Sequence, residues 1–396
     1  MTSPETAPPC SRTDEPLGIY VHVPFCEQKC AYCDFFTVTD PDRAHPLYES
    51  WLQLCARELQ LWRQQYPQQL AGRQIGSIFF GGGTPSLLRP TAFGDFLTEL
   101  KREFDVAPDV EVSLETQPAT IAPADYAAMV HNGINRFSVG AQTFQPRLLQ
   151  PTARRHTVEE TRRTLELARA TGVTLSLDLI CALPGQTMDE WRDDLATALS
   201  YDPHHVSVYE MTYHAGTQYY RQWRRGAISE TDEAMRIAMY THTRNTMMAA
   251  GYEHYEISNY ALPGRQSRHN RVYWRLGDFV GLGAGAHSYL GGHRYANPRS
   301  ADDYARAVNE GRLFARPQDS DDPDITLVEN LTMALRLLEG VDLDWLADRV
   351  GEDIRVTRRA ALEKLSGRGW ITVSETHLHL TENGILQADS VAEGML

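Results

Sequence analysis

Residues 20–35 read YVHVPFCEQKCAYCDF and hold three of the six cysteines of the chain, Cys26, Cys30 and Cys33. Thiolates are soft ligands that suit zinc, copper(I) or iron–sulfur clusters. A four-cysteine zinc site usually shows two separated cysteine pairs, whereas this chain has a single C-x3-C-x2-C cluster. Three cysteines on one loop can each bind one iron of a [4Fe–4S] cluster and leave the fourth iron open. The spacing therefore favours an iron–sulfur cluster with an open iron.

The cysteine segment follows the first of six runs that predict β-strands. These runs lie at 18–23, 75–80, 110–115, 134–139, 174–180 and 205–210. Apolar residues at helical spacing predict helices between several of them, and such alternation indicates a parallel sheet with right-handed crossovers. An open doubly wound sheet and a barrel both fit the alternation. Polar or glycine-rich residues occur at the end of every strand, which favours the barrel. We predict an α/β fold with an incomplete, TIM-like (β/α)6 barrel.

The length of 396 residues predicts a second, smaller domain beside the barrel. The predicted division is a disordered N-terminal tail at 1–16, the barrel at 17–300, a connecting segment at 301–324 and a C-terminal domain at 325–396. Three helical patterns and a β pair make the last domain mainly helical and winged-helix-like. Residues 321–396 contain 15 Asp and Glu against 7 Lys and Arg, so this domain would repel a phosphate backbone.

Charge and hydropathy limit the partners and the location. The formal net charge is -14, which argues against nucleic acid as the main partner. The first residues lack the basic start and apolar core of a signal peptide. No apolar run approaches the roughly 18 residues that a membrane span needs. We expect a cytoplasmic protein without a transmembrane segment.

Residues 20–35 resemble the radical S-adenosylmethionine (SAM) superfamily and, within it, the branch that resembles coproporphyrinogen oxidase. The resemblance runs from about Gly18 to the C-terminus, and four further segments carry it: FFGGGTPS (79–86), GINRFSVGAQTF (133–144), LDLICALPGQT (177–187) and HNRVYW (269–274). It implies a six-stranded partial barrel, a [4Fe–4S] cluster and SAM. In this superfamily SAM is cleaved reductively to a 5′-deoxyadenosyl radical, so cleavage would require an electron donor.

Two functions compete within this branch. The oxygen-independent coproporphyrinogen III oxidases carry a fourth cysteine two positions after the third, where this chain has Phe35, and a longer N-terminal segment. The HNxxYW block at 269–274 is similar to that of heme chaperones of the HemW type. The resemblance thus implies that the protein binds heme as cargo and passes it to apoproteins, without oxidase activity. A radical SAM oxidoreductase, such as a coproporphyrinogen III dehydrogenase, is the alternative, and a structural zinc protein is a third.

The resemblance also assigns site residues. Cys26, Cys30 and Cys33 would bind the cluster, and Gly82, Gly83 and Thr84 would approach the methionyl amino group, because backbone without Cβ atoms can come close to a ligand. The remaining SAM contacts fall on residues near strand ends or on neighbouring loops: Tyr20, Tyr32, Glu115, Gln142, Arg154, Asp178, Ala286 and His287.

Two of the candidate residues have a structural alternative. A buried aspartate is costly without a partner, so Asp178 would contact either SAM or an arginine such as Arg136 or Arg154. Histidine is a common axial ligand of heme, which makes His269 the first candidate for the heme ligand. With its neighbours Tyr273 and Trp274, His269 could equally form a packed corner at the barrel mouth.

Overall fold

The structure, a computed structural model, describes residues 15–320 and 322–396. The predicted disordered tail lies outside these residues except for its last two. Glu15 accepts a hydrogen bond on its backbone oxygen from the Arg73 guanidinium at 2.8 Å. Pro16 occupies the space beside Gly76, where an added Cβ would lie 2.5 Å from the proline ring. Within the described ranges, no helix is both long enough and apolar enough to span a membrane.

Short strands and helices alternate along the described chain. The strands are β1 (Leu17–Val23), β2 (Phe25–Cys26), β3 (Val38–Thr39), β4 (Gln74–Gly82), β5 (Asp105–Thr116), β6 (Arg136–Gln142), β7 (Thr174–Cys181), β8 (His205–Glu210), β9 (Glu253–Glu256), β10 (Asn259–Ala261), β11 (Phe279–Leu282), β12 (His287–Leu290), β13 (His293–Ala296), β14 (Arg316–Pro317), β15 (Val341–Asp342), β16 (Ile371–Val373) and β17 (His377–Leu380). The helices are α1 (Trp51–Gln65), α2 (Pro67–Leu70), α3 (Pro90–Glu103), α4 (Asp125–His131), α5 (Pro146–Leu149), α6 (Val158–Ala170), α7 (Met188–Leu199), α8 (Gln218–Arg224), α9 (Glu233–Ala249), α10 (Arg268–Trp274), α11 (Ala301–Asn309), α12 (Pro323–Ala334), α13 (Leu343–Val350), α14 (Ile354–Thr357), α15 (Arg359–Gly367), α16 (Glu382–Ile385) and α17 (Ala388–Glu393).

The predicted α/β fold is confirmed by the large sheet. The strands β1, β4, β5, β6, β7 and β8 lie side by side in chain order, and each pairs in parallel with the next. Their carboxyl ends therefore meet along one edge, where the cysteine loop follows β1. The sheet continues beyond these strands in both directions, to twelve in all, with β11 to β14 beside β1 and β10 and β9 beside β8.

Alternate residues of β1 face opposite sides of the sheet. Ile19, Val21 and Val23 enter the main apolar core between the sheet and the helices. The intervening Tyr20 and His22 face a polar side instead, where the Tyr20 hydroxyl lies 3.1 Å from Nδ1 of His22. This period of two separates the apolar core of the domain from a polar face of the sheet.

The segment predicted as a connection at 301–324 contains structure that belongs to the large domain. Helix α11 packs on α1, with the Tyr304 ring 5.1 Å from Trp51 and its hydroxyl donating to Glu58 at 2.8 Å. Strand β14 then pairs with β13 at the edge of the large sheet. The main apolar core of the large domain therefore extends to α11, because Tyr304 and Val308 are buried in it.

The C-terminal region forms its own apolar core. Helices α12, α13 and α15 pack there with the antiparallel sheet β15-β17-β16. The barrel contributes Leu276 to this core. Two backbone hydrogen bonds join the domains, from Ile257 to the oxygen of Arg336 at 3.0 Å and from Leu338 to the oxygen of Tyr255 at 3.1 Å. The two domains are thus in direct contact near α10.

The packing of α16 depends on Gly384. A Cβ at this position would lie 1.7 Å from the backbone oxygen of Trp370, so Gly384→Ala requires a backbone shift. We expect this substitution to lower the free energy of unfolding by about 2 kcal/mol, measured by urea unfolding followed by tryptophan fluorescence. Gly367→Ala is the matched control, since a Cβ there meets open space within a helix. Equal urea midpoints for the two variants would contradict the packing described.

Candidate functional site

A cavity of about 440 Å³ opens at the carboxyl ends of the parallel strands. Its volume is within the range of small-molecule sites. The cysteine loop forms one wall and the ends of β4 to β8 form the others. It brings together most of the residues predicted for the cluster and SAM: Cys26, Cys30, Tyr32, Cys33, Gly82, Gly83, Thr84, Glu115, Gln142, Arg154 and Asp178.

Four predicted residues lie outside the lining of this cavity. Tyr20 is within the polar interior of the barrel, where its ring stacks near Phe79. Ala286 is buried and His287 exposed, at the turn that leads from β11 into β12. This turn contacts the cysteine segment, because a Cβ on Gly285 would lie 2.9 Å from Phe36. The fourth residue is His269.

The three cysteines lie at the cavity in different degrees of burial. Cys26 is buried, and Thr84 donates a hydrogen bond to its sulfur at 3.4 Å. Burial raises the pKa of Cys26 to about 12 and that of Cys33 to about 11, so both thiols are protonated until a metal displaces the proton. In the described ranges, no three Cys, His, Asp or Glu side chains converge closely enough for one metal ion. All three cysteines line the same cavity, as a cluster with one iron for each thiolate would require.

The glycine loop after β4 lies against the end of β1. The Gly83 N–H donates to the Val23 oxygen at 2.8 Å. An added Cβ on Gly83 would lie 2.7 Å from the carbonyl carbon of Pro24, and one on Gly82 would lie 2.4 Å from the His22 ring. Gly82 also has a φ of 105°, a region that glycine enters without strain. Only glycine fits at both positions.

Two carboxyl groups line the same cavity as the cysteines. Glu115 accepts a hydrogen bond from the Gly82 N–H at 3.0 Å, and burial together with nearby Asp178 raises its pKa to about 7. Asp178 accepts from the Ser138 hydroxyl at 3.0 Å, and burial raises its pKa as well. Both carboxyl groups are therefore positioned by hydrogen bonds. Both also line the cavity, where they can contact a ligand.

The predicted ion-pair alternative for Asp178 is not formed within the described ranges. Arg136 lies 3.7 Å from Glu111 instead. Arg154 donates to the Gly140 oxygen at 2.7 Å and to the Tyr32 hydroxyl at 3.1 Å. Burial opposes the charge on Arg154, but Tyr32 and Cys30 raise its pKa overall. Arg154 thus presents a positive charge beside the cysteine loop.

Sequence reasoning missed several residues of this cavity and of its support. Tyr209 near the end of β8, and Met211 and His214 in the loop after it, also line the cavity, and that loop has no recognisable motif. Glu58 supports the turn at 283–285 from the buried face of α1. The sequence did contain a signal for Glu58. This glutamate lies on the same face of α1 as Cys55 and Leu59, at a position where helical spacing predicts an apolar residue.

Glu58 connects three elements through its carboxylate. It accepts from the Gly283 N–H at 2.8 Å, from the Asn297 amide at 2.7 Å and from the Tyr304 hydroxyl at 2.8 Å. Burial raises the pKa of Glu58 to about 7. These contacts fix the glycine-rich turn relative to α1 and α11.

His269 fills the interior of the barrel away from this cavity. Its Nδ1 lies 2.9 Å from the Ser77 hydroxyl and its Nε2 lies 2.7 Å from the Tyr273 hydroxyl. The ring is fully buried, and burial lowers its pKa to about 3, so it is neutral. Since both nitrogens have partners, the arrangement leaves neither open to a heme iron. The packed corner, the alternative for His269, matches these contacts.

Comparison with known proteins agrees with this geometry. The model of the radical SAM superfamily matches residues 20–198, and that of the HemN C-terminal domain matches 322–386. The heme chaperone HemW of Synechocystis sp. is 34% identical over 361 residues, which cover 90% of this chain and 86% of the relative. The heme chaperone HemW of Escherichia coli is 31% identical over 389 residues, 96% and 97% of the two chains.

This chain belongs to the HemW family of radical SAM proteins. The predicted resemblance is thereby confirmed, and with it the superfamily's cofactors, a [4Fe–4S] cluster and SAM. Among solved structures, the coproporphyrinogen III oxidase HemN of Escherichia coli superposes with a TM-score of 0.79 at 21% identity, over 96% of this chain and 90% of that chain. This likeness shows that the HemW-family chain shares the HemN fold.

The structural role of His269 can be tested by its removal. His269→Ala leaves a cavity and removes the hydrogen-bond partner of the Ser77 and Tyr273 hydroxyls. We therefore expect the free energy of unfolding to fall by about 2–5 kcal/mol. Urea unfolding measures this loss. His293→Ala is the control, because His293 is exposed and its ion pair with Asp319 lies at the surface. A His269→Ala protein with an unchanged urea midpoint would contradict the packed-corner role.

Proposed function

We propose that this protein is a heme chaperone that binds heme and transfers it to recipient apoproteins, while carrying the [4Fe–4S] cluster and SAM. Support comes from the relatives of this name, which match over nearly their whole length. The observation that carries the proposal is Phe35. It stands where the oxidases carry a fourth cysteine, and its side chain is 55% exposed at the edge of the cluster cavity. A phenylalanine there offers an apolar contact and no metal ligand.

The cavity residues fit the cluster and SAM in a consistent arrangement. Cys26, Cys30 and Cys33 would bind three irons, and the fourth would be open to the amino and carboxylate groups of SAM. When bound and reduced, the cluster supplies the electron that cleaves SAM. Arg154 would orient the negatively charged part of the cofactor, because its guanidinium is fixed by Gly140 and Tyr32.

Other residues of the cavity would hold the positive and hydroxyl groups of SAM. Gly82 and Gly83 allow the backbone to approach the methionyl amino group, and Glu115, which Gly82 fixes through one oxygen, has the other oxygen for a ligand donor. Asp178 would accept hydrogen bonds from the ribose hydroxyls. Gln142 would donate a hydrogen bond to the ribose through its amide group. Burial raises the pKa of Glu115, and a positive group of SAM beside it would lower that pKa and favour the charged form.

We further infer a cytoplasmic location, an electron donor that reduces the cluster and no nucleic-acid partner. The net charge of -14 supports the last point, because a phosphate backbone requires a basic surface. The acidic balance of the C-terminal domain supports it further.

A radical SAM oxidoreductase is the second candidate. Its support is the cavity itself, whose lining extends beyond the residues predicted for SAM to Tyr209, Met211 and His214, where it could admit a substrate. The likeness to HemN concerns the fold and does not carry this activity over.

Anaerobic reconstitution followed by two assays separates the candidates. We expect the protein to take up ferric heme, seen as a shifted Soret band, and to leave coproporphyrinogen III unchanged in the presence of SAM and a reductant. Conversion to protoporphyrinogen would contradict the chaperone proposal and favour the oxidoreductase. The triple variant Cys26→Ser, Cys30→Ser, Cys33→Ser should lose the iron and sulfide of the cluster. Cys181→Ser, at a buried cysteine outside the loop, should retain both and serves as control.

A further inference from the structure

Helix α8 is in direct contact with the cysteine loop. The Tyr219 N–H, in the first turn of α8, donates to the Ala31 oxygen at 2.8 Å. The Tyr219 ring is buried, and its centroid lies 6.4 Å from that of Tyr32. Ala31 and Tyr32 follow Cys30 in the sequence. Helix α8 therefore touches both residues between Cys30 and the last cysteine of the loop.

Aromatic rings extend this contact towards the surface. Tyr213 lies beside Tyr219, with ring centroids 6.5 Å apart, and Trp223 lies beside Tyr213 at 5.8 Å. Tyr213 and Trp223 are both partly exposed. Electron tunnelling weakens steeply across empty space and less steeply along bonds and closely packed atoms. The packed rings and the hydrogen bond to Ala31 therefore form a suitable route between the surface at α8 and a cluster on the cysteines.

The exposed side of α8 is basic. Arg221, Arg224 and Arg225 are three and four residues apart, so they lie on one side of the helix and its C-terminal end. All three are exposed, whereas Tyr219 faces the cysteine loop from the other side. We refer to the three arginines as the basic face of α8.

The charge on this basic face is not neutralised within the described part of the chain. No described carboxylate forms an ion pair with the three arginines. Residues 211–229 contain these arginines and no Asp or Glu. The next acidic residues along the sequence are Glu230 and Glu210, and Glu210 binds Arg236 at 2.7 Å. The basic face is thus a local positive patch on a chain with a net charge of -14.

We propose that the basic face of α8 docks an acidic one-electron carrier protein that reduces the cluster. The inference rests on the proposed function, which requires an electron donor, and names the surface where that donor binds. One electron passes from the carrier to the cluster, so the carrier is oxidised and the cluster is reduced. No covalent bond forms or breaks in this step.

An acidic carrier fits because the charge of the protein is distributed unevenly. The overall negative charge repels an acidic protein, so attraction confined to α8 orients the carrier at this surface. Encounters between electron-transfer proteins bury little area, and charge rather than a large apolar patch sets their rate of association. Three arginines on a short helix beside the cysteine loop meet these requirements.

Other cations near the cysteine loop suit this role less well. Arg43 and Arg155 both bind Glu27, at 2.9 and 3.5 Å. Lys29 is exposed, but its Nζ donates to the Phe35 oxygen at 3.1 Å within the same segment. The basic face of α8 has no comparable polar contact to a described residue and is available to a partner.

Binding of a purified flavodoxin, an acidic one-electron carrier, to the reconstituted full-length protein tests this surface. The triple variant Arg221→Glu, Arg224→Glu, Arg225→Glu should weaken binding by about tenfold or more at low ionic strength, because attraction becomes repulsion. Added salt should weaken binding by the unaltered protein, since it screens exposed charges.

The matched control is the triple variant Lys101→Glu, Arg359→Glu, Lys364→Glu. These residues are exposed, lie on α3 and α15 and form no ion pair with a described residue. The control has the same net charge as the α8 variant, so it should bind flavodoxin within about twofold of the unaltered protein if the location of the charge decides binding. Circular dichroism and the iron content establish that all three proteins fold and carry the cluster.

Reduction of the cluster, followed by stopped-flow absorbance, is the second readout. At subsaturating concentrations, reduced flavodoxin should reduce the cluster of the α8 variant about tenfold or more slowly than that of the control. A small reductant, photoreduced deazaflavin, should reduce the clusters of all three proteins at equal rates, because it does not need the basic face.

The outcomes separate this surface from the proposed function. If the α8 variant binds flavodoxin as the control does, or the unaltered protein does not bind it, the surface is wrong while the chaperone function stands. If deazaflavin does not reduce the cluster of the unaltered protein, the cluster part of the proposed function fails, and the binding assay decides the surface alone. Binding to vesicles of acidic phospholipid that only the α8 variant loses, with unchanged flavodoxin binding, would assign the basic face to a membrane and overturn the proposal. Should the α8 variant fail to fold, glutamine at the same three positions provides the same readouts.

Discussion

The rest of the site depends on the close approach of the Gly82–Gly83 loop to the end of β1. No Cβ fits between these segments, and the Gly83 N–H binds the Val23 oxygen directly. This contact brings Thr84 to the sulfur of Cys26 and directs the Gly82 N–H to Glu115. One backbone constraint thus sets the distance between the cysteine loop and the carboxyl wall, and with it the width of the cavity that SAM would occupy.

A polar barrel interior supports this arrangement. His269 is neutral and bonded to Ser77 and Tyr273, whereas Glu58 binds Gly283, Asn297 and Tyr304 outside the barrel. Burial of such groups is costly unless each has partners, so their contacts specify one packing of the strands and turns. The C-terminal domain packs against the large domain near α10, through Leu276 and the two backbone hydrogen bonds to Arg336 and Tyr255.

The sequence predicted the parallel strands well because their period and their order are local properties. The start of helix α6 is likewise a local property, since Thr157 and Glu160 form a capping box there. Most site residues were predictable because the carboxyl ends of parallel strands meet at one edge. Short strands such as β9 and β14 have no clear period. Helix α11 was missed although its buried residues Ala301, Tyr304, Ala305 and Val308 recur at helical spacing. The contacts of Glu58 and His269 depend on residues distant in sequence, which only the folded chain brings together.

The most direct test of the account is electron paramagnetic resonance of the reduced cluster with and without SAM. It compares the unaltered protein with a Gly83→Ala protein of equal iron and sulfide content. The account predicts that SAM changes the signal of the unaltered protein, because one iron is open to it, and changes that of Gly83→Ala much less, because the added Cβ displaces the glycine loop. A signal that SAM leaves unchanged in the unaltered protein, or an equal response in both proteins, would contradict it.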